Sequence, residues 1–215
     1  MKISFAKENT LKKIRQALSH PTPIPFPNSE GNSSVFQPPT QEPEIEFAEQ
    51  FTKLLGKFVY CADHRELNEQ LRALIINRDW KRLWCADTKW KSILTDPVIA
   101  GPIIRPVELS DCDAAITGCE LLIARTGSIV MSAADPSGRT GSVYAPVHIC
   151  IAYTDQLVYD IKDGLMALKE KYAQRLPSLI TLATGPSRTA DIEKTLVVGV
   201  HGPKEAFLFL VDKKL

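Results

Sequence analysis

The sequence predicts an α/β protein with an open, mainly parallel sheet and helices on its faces. Three observations carry that prediction. The first is a strand-to-cap unit that occurs twice, Phe58-Val-Tyr-Cys-Ala-Asp63 and Arg82-Leu-Trp-Cys-Ala-Asp87, each followed by a helical pattern. Alternation of strands with helices is the signature of parallel strands joined by crossovers. The second is the helical spacing of Leu157, Ile161, Leu165, Leu168 and Tyr172 across residues 156–174, which Pro177 closes. The third is a set of short apolar runs late in the chain, Leu179–Ala183, Leu196–Val200 and Phe207–Asp212. Runs without alternation suit strands buried on both faces.

Residues 5–19 read as an amphipathic helix, with Leu11, Ile14 and Leu18 on one side and lysines on the other. The domain at 1–20 is this helix. Residues 21–43 hold seven of the fifteen prolines and read as an extended linker. A tethered amphipathic helix packs on its own domain or on a neighbouring subunit. The linker favours the neighbour, so a homo-oligomer joined through this helix is expected. Residues 44–215 form a single α/β domain. It opens with a helix over 43–57 whose apolar side is Ile45, Phe47, Phe51, Leu54 and Leu55.

Asp63-x-x-Glu66 is a capping-box spacing, and Leu67, Leu71, Leu74 and Ile75 make the buried stripe behind it. After Pro97–Pro106 the chain becomes strand-rich, with Ala114–Ile116, Leu121–Ala124, Ser128–Met131 and Ile149–Tyr153 as strands. Thr126-Gly127 sits between two of these and suits a tight turn, glycine supplying the positive φ. Asp135-Pro-Ser-Gly-Arg-Thr-Gly141 is a loop of turn residues, a natural place for a mobile flap.

Composition excludes several classes. With a net charge of +1, the 215-residue chain has no electrostatic footprint for nucleic acid or anionic membrane. No apolar run is long enough to span a membrane, and the N-terminus lacks the apolar core of a signal peptide, so a cytoplasmic protein is expected. The five cysteines, Cys61, Cys85, Cys112, Cys119 and Cys150, form no Cys-x-x-Cys pair. That argues against a disulfide framework, structural zinc or an iron–sulfur cluster, and reads as small buried hydrophobes. No P-loop, dinucleotide fingerprint or nucleophile elbow is present, so no cofactor is expected.

The candidate site centres on Thr184-Gly-Pro-Ser-Arg-Thr-Ala-Asp-Ile192. A strand stopping at Gly185-Pro186 and restarting as a helix capped by Ser187 would leave free N–H groups for an anion. Arg188 adds a fork matched to carboxylate or phosphate. Thr189 and Gly202 complete the substrate-binding set with Gly185, Ser187 and Arg188. Thr126 and Gly127 would form a second wall or simply a hairpin turn. His201 is the residue best suited to acid–base work near neutral pH, with Asp191 and Glu193 as candidate bases or orienters of Arg188. In open sheets such a site lies outside the carboxyl ends of the strands. His148, between Val147 and Ile149, reads rather as a satisfied core or edge histidine. A metal site from His148, His201 and Asp191 is set aside, because no helix-spaced His/Glu pair supports it.

Gly185-Pro-Ser-Arg-Thr-Ala-Asp-Ile-Glu193, followed by Gly199-Val-His-Gly-Pro203, resembles the signature of the LUD-domain family. Asp113–Thr117, Ile123–Val130 and Pro146–Ile149 agree with it. The resemblance implies a fold similar to the sugar-phosphate isomerase and CoA-transferase type. It further implies a cluster-free component of an L-lactate utilisation system that oxidises lactate to pyruvate, with iron–sulfur subunits as partners and a small carboxylate or phosphate as ligand. Many family members carry an acidic residue before the Thr-Gly, where this chain has Arg125. Two other readings use the same pocket. One is a stand-alone enzyme acting on a phosphorylated, CoA or folate substrate. The other is a module that senses a small carboxylate.

Overall fold

The computed structural model describes residues 5–19, 38–104, 108–173, 175–190 and 196–212. The chain divides into two units, Met1–Pro38 and Pro39–Leu215. In the first, helix α1 (Phe5–Leu18) buries none of its residues. Most of the expected linker lies outside the described residues.

In the second unit five parallel strands form one sheet in the order β1-β11-β6-β3-β2. They are β1 (Lys57–Cys61), β2 (Leu83–Cys85), β3 (Ala114–Thr117), β6 (Val147–Tyr153) and β11 (Glu205–Val211). Both repeats of the strand-to-cap unit form. Asp63 caps α3 (His64–Arg78) by accepting from the Glu66 amide at 2.8 Å. Glu66 reaches back one residue further than the usual capping box, to the Ala62 amide at 2.7 Å. Asp87 caps α4 (Thr88–Ile93) through the Lys89 amide at 2.8 Å. A further helix, α5 (Pro97–Ile104), precedes β3.

Strict alternation along the central strands divides the core. Val147, Ile149 and Ile151 of β6 and Phe207, Phe209 and Val211 of β11 pack with α3, α4 and α5. Cys150, Ala152, Leu208 and Leu210 face the other way, onto α2 (Pro43–Lys53) and a second sheet. Pro43 opens α2 where its missing N–H costs nothing, and Phe47 and Phe51 are its buried face.

The second sheet has the order β7-β4-β5-β8, from β4 (Leu121–Ile123), β5 (Ser128–Ser132), β7 (Leu157–Val158) and β8 (Ile180–Ala183). Leu122, Ile129 and Met131 face the parallel sheet, while Leu121, Ile123 and Val130 pack under α6 (Ile161–Tyr172). The layers are therefore helix, sheet, sheet, helix. The C-terminal helix starts later than its spacing predicts. Leu157 and Val158 pair with β4 as a strand, and Asp160 is the helix N-cap, its amide donating to the Asp163 carboxylate at 3.1 Å.

Thr126-Gly127 does form a hairpin connection. A 3-10 turn, Ala124–Thr126, is closed by Gly127 at φ 60° before β5 begins. The turn also receives α2, since a Cβ on Gly127 would lie 2.4 Å from the Phe51 backbone nitrogen. Only glycine allows two backbones to meet that closely.

Candidate functional site: a cavity between the two sheets

Two turns meet where the sheets part. Ser187 N–H donates to the Pro203 carbonyl at 2.9 Å, and Gly199 N–H donates to the Ser187 carbonyl at 2.9 Å. Behind them lies a cavity of about 280 Å³. Its apolar walls include Ile129, Met131, Leu182 and Ala206, and its polar groups are Ser142, His148, Thr181, Thr184, Ser187 and His201.

The expected helix after Ser187 does not form. Arg188–Ala190 is strand β9, paired antiparallel with β10 (Leu196–Val198). The reading of Ser187 as a helix cap is thereby corrected. Its amide goes to Pro203, and no helix terminus stands there to receive an anion. Arg188 is exposed on β9 and is not among the residues lining the cavity, and neither is Thr189. Asp191 and Glu193 lie outside the described residues. Gly185 and Gly202 do line the cavity, but their missing side chains serve protein packing. A Cβ on Gly185, at φ 80°, would sit 2.4 Å from the Leu54 carbonyl oxygen, and one on Gly202 would sit 2.9 Å from the Ser187 Cβ.

His148 is the second residue of β6 and Ala206 the second of β11, so the cavity opens at the amino ends of the parallel strands. Thr184 and Gly185 do follow the carboxyl end of a strand, but that strand, β8, belongs to the second sheet, antiparallel to β5.

His201 is exposed at the mouth and also borders a neighbouring cavity of about 510 Å³. His148 lies deeper and is 1% exposed. Burial pushes its pKa down to about 4, so the ring is neutral at physiological pH. Its Nε2 lies 2.8 Å from Thr117 Oγ1, and Thr117 Oγ1 also donates to the Gly118 carbonyl at 2.8 Å. Thr126 and Gly127 do not line the cavity. Thr126 connects to it indirectly, through Ser128 at 2.7 Å and from Ser128 to Thr184 at 2.8 Å. Sequence reasoning left His148 outside the site. The signal for His148 was present: a polar residue inside the apolar run Val147–Ala152 must be buried on one face of a central strand.

Arg125 does not enter the cavity either. Its guanidinium forks onto Asp160, Nε to Oδ2 at 2.8 Å and Nη2 to Oδ1 at 3.1 Å. The hydrogen bonds from Arg125 hold the Asp160 carboxyl below its ordinary range.

The cavity lies in a segment with relatives. Residues 105–211 match the family described as the LUD domain.

The C-terminal half of the chain is a LUD domain.

Every residue lining the cavity falls inside it. The chain is 33% identical over 123 residues to lactate utilization protein C of Deinococcus radiodurans, covering 57% of each chain. It is 34% identical over 112 residues to lactate utilization protein C of Shouchella clausii, covering 51% of this chain and 49% of that one. The chain thus spans about half the length of the curated relatives it matches. A crystal structure of a DUF162 family protein from Deinococcus radiodurans superposes with a TM-score of 0.55 at 21% identity, covering 79% of this chain and 98% of that one. That likeness supports the fold alone. Among the described residues, no helix is long and apolar enough to cross a membrane.

Proposed function

We propose that this chain is a component of an L-lactate utilisation system and that its LUD domain holds a small hydroxy-carboxylate in the cavity between the sheets. The observation that supports it is the coincidence of the cavity with the segment shared with proteins named for lactate utilisation. The lining suits such a ligand. Thr184, Ser187 and His201 offer donors for a carboxylate, while Ile129, Met131 and Ala206 offer an apolar wall for a methyl group.

Oxidising lactate to pyruvate removes two electrons and two protons. In this reading the electrons leave through iron–sulfur partner subunits, and this chain presents the acid to them. Its own five cysteines are free and four of them are buried. Burial pushes the Cys61 thiol up to about 12 and the Cys85 and Cys112 thiols up to about 11, which keeps them protonated.

Two experiments test the reading together. Deleting the gene should abolish growth on L-lactate as sole carbon source, and the intact gene should restore it. Co-expression with candidate iron–sulfur subunits should yield a complex on affinity purification. Undiminished growth of the deletion strain on lactate would overturn the proposal.

A further inference from the structure

We propose that His148 reads the hydroxyl of the bound acid, accepting its O–H at Nδ1, so that the cavity takes 2-hydroxy acids in preference to 2-oxo acids. This rests on the cavity being the carboxylate site.

The inference starts from Thr117, which is fully buried. Its hydroxyl has one proton and lies 2.8 Å from both the Gly118 carbonyl and His148 Nε2, with the Cys150 thiol, itself 3.6 Å from that carbonyl, as a third and weaker neighbour. Two oxygens 2.8 Å apart need a hydrogen between them, and a carbonyl has none to give, so the Thr117 proton goes there. Thr117 Oγ1 then accepts from His148, which assigns the ring proton to Nε2. The other nitrogen, Nδ1, keeps its lone pair. Among the described residues it has no hydrogen-bond partner, and His148 lines the cavity. The neutral state that burial enforces leaves this lone pair in place across the physiological range.

An acceptor open to a cavity calls for a donor from the ligand that fills it and shuts out water. An alcohol O–H supplies one. A ketone oxygen in the same place has only lone pairs, so it is repelled and leaves Nδ1 unpaired. The discrimination lies in the tautomer, which Thr117 sets from outside the cavity. Thr117 is therefore a positioning residue and His148 the specificity residue. At pH 7 the ring stays a poor proton acceptor, so the proposal concerns recognition rather than base catalysis.

The test is ligand titration of the purified full chain with L-lactate, pyruvate and propionate, followed by NMR or calorimetry. Wild type should bind lactate about ten-fold or more tighter than pyruvate, in the range expected for one satisfied against one unsatisfied buried acceptor. His148→Leu fills a similar space and offers no acceptor, so the preference should fall to near unity, with circular dichroism confirming that the protein still folds. Thr117→Val frees the ring proton to move to Nδ1 and should erase or invert the preference. In the free wild-type protein, ¹⁵N shifts should report the Nε2–H tautomer. Equal affinities in wild type, a preference that survives His148→Leu, or an Nδ1–H tautomer would each overturn the inference while leaving the cavity reading standing. Failure of all three acids to bind would overturn both.

Discussion

Two glycines share a backbone conformation and differ in their surroundings, which makes them a controlled pair. Gly127 has φ 60° and Gly138 has φ 61°. A Cβ on Gly138 would meet nothing within 4 Å, whereas one on Gly127 would lie 2.4 Å from the Phe51 nitrogen and 2.7 Å from the Gln50 carbonyl carbon. Gly138→Ala should therefore cost only the left-handed conformation, about 1.5 kcal/mol. Gly127→Ala should add the displacement of α2 from the 3-10 turn, for a total of about 3.5 kcal/mol. At about 2–4 °C per kcal/mol for a chain of this size, the midpoints should fall by roughly 3–6 °C and 7–14 °C. Thermal unfolding followed by circular dichroism measures both. Equal shifts would refute the claim that α2 docks backbone-to-backbone on the LUD domain.

Arg125→Ala should lower the melting midpoint by about 4–8 °C, because it strips Asp160 of a forked, charge-assisted pair worth about 2 kcal/mol. A change under one degree would show the pair to be inert. Lowering the pH from 6.5 to 4 should destabilise the protein, since His148 takes up a proton in the unfolded chain near 6.5 but in the fold only near 4. The stability is present in full above 6.5, and roughly 3 kcal/mol of it is gone at the lower end of that window. His148→Gln should flatten that part of the profile, and an unchanged slope would contradict the assignment. Further acidification should protonate Glu120. Burial raises this carboxyl, but bonds from Lys171, Ser132 and Tyr172 outweigh it and hold it below its ordinary value. Native alkylation should modify Cys119 first and spare Cys61, Cys85, Cys112 and Cys150, which are buried. Rapid reaction of several thiols would refute the packing.

The parts of the fold legible in the sequence are those with local causes. Asp63 and Asp87 cap helices because a carboxylate one residue before a helix accepts its free amides, and the same Cys-Ala-Asp spacing announces both. Gly127 turns the hairpin because the position needs positive φ. The parts that misled depend on distant partners. Ser187-Arg188-Thr189 carries a helix-start pattern, yet Arg188 and Thr189 pair with Val198 and Val197 as a strand. The apolar run before it could join either sheet, and nothing local says that Ile129–Ser132 is its partner. Placing the strand that leads into Thr184 and Gly185 in the second sheet sets the cavity at the amino ends of β6 and β11. It also leaves Arg188 outside and brings in His148, whose ring is held by Thr117, thirty-one residues away in sequence.

The most direct test of the account is a crystal structure of the protein with L-lactate. The acid should lie in the cavity between Met131, Thr184 and Ala206, with its hydroxyl in hydrogen-bond contact with His148 Nδ1. Lactate held instead on the Arg188 face, or an empty cavity at saturating lactate, would contradict it.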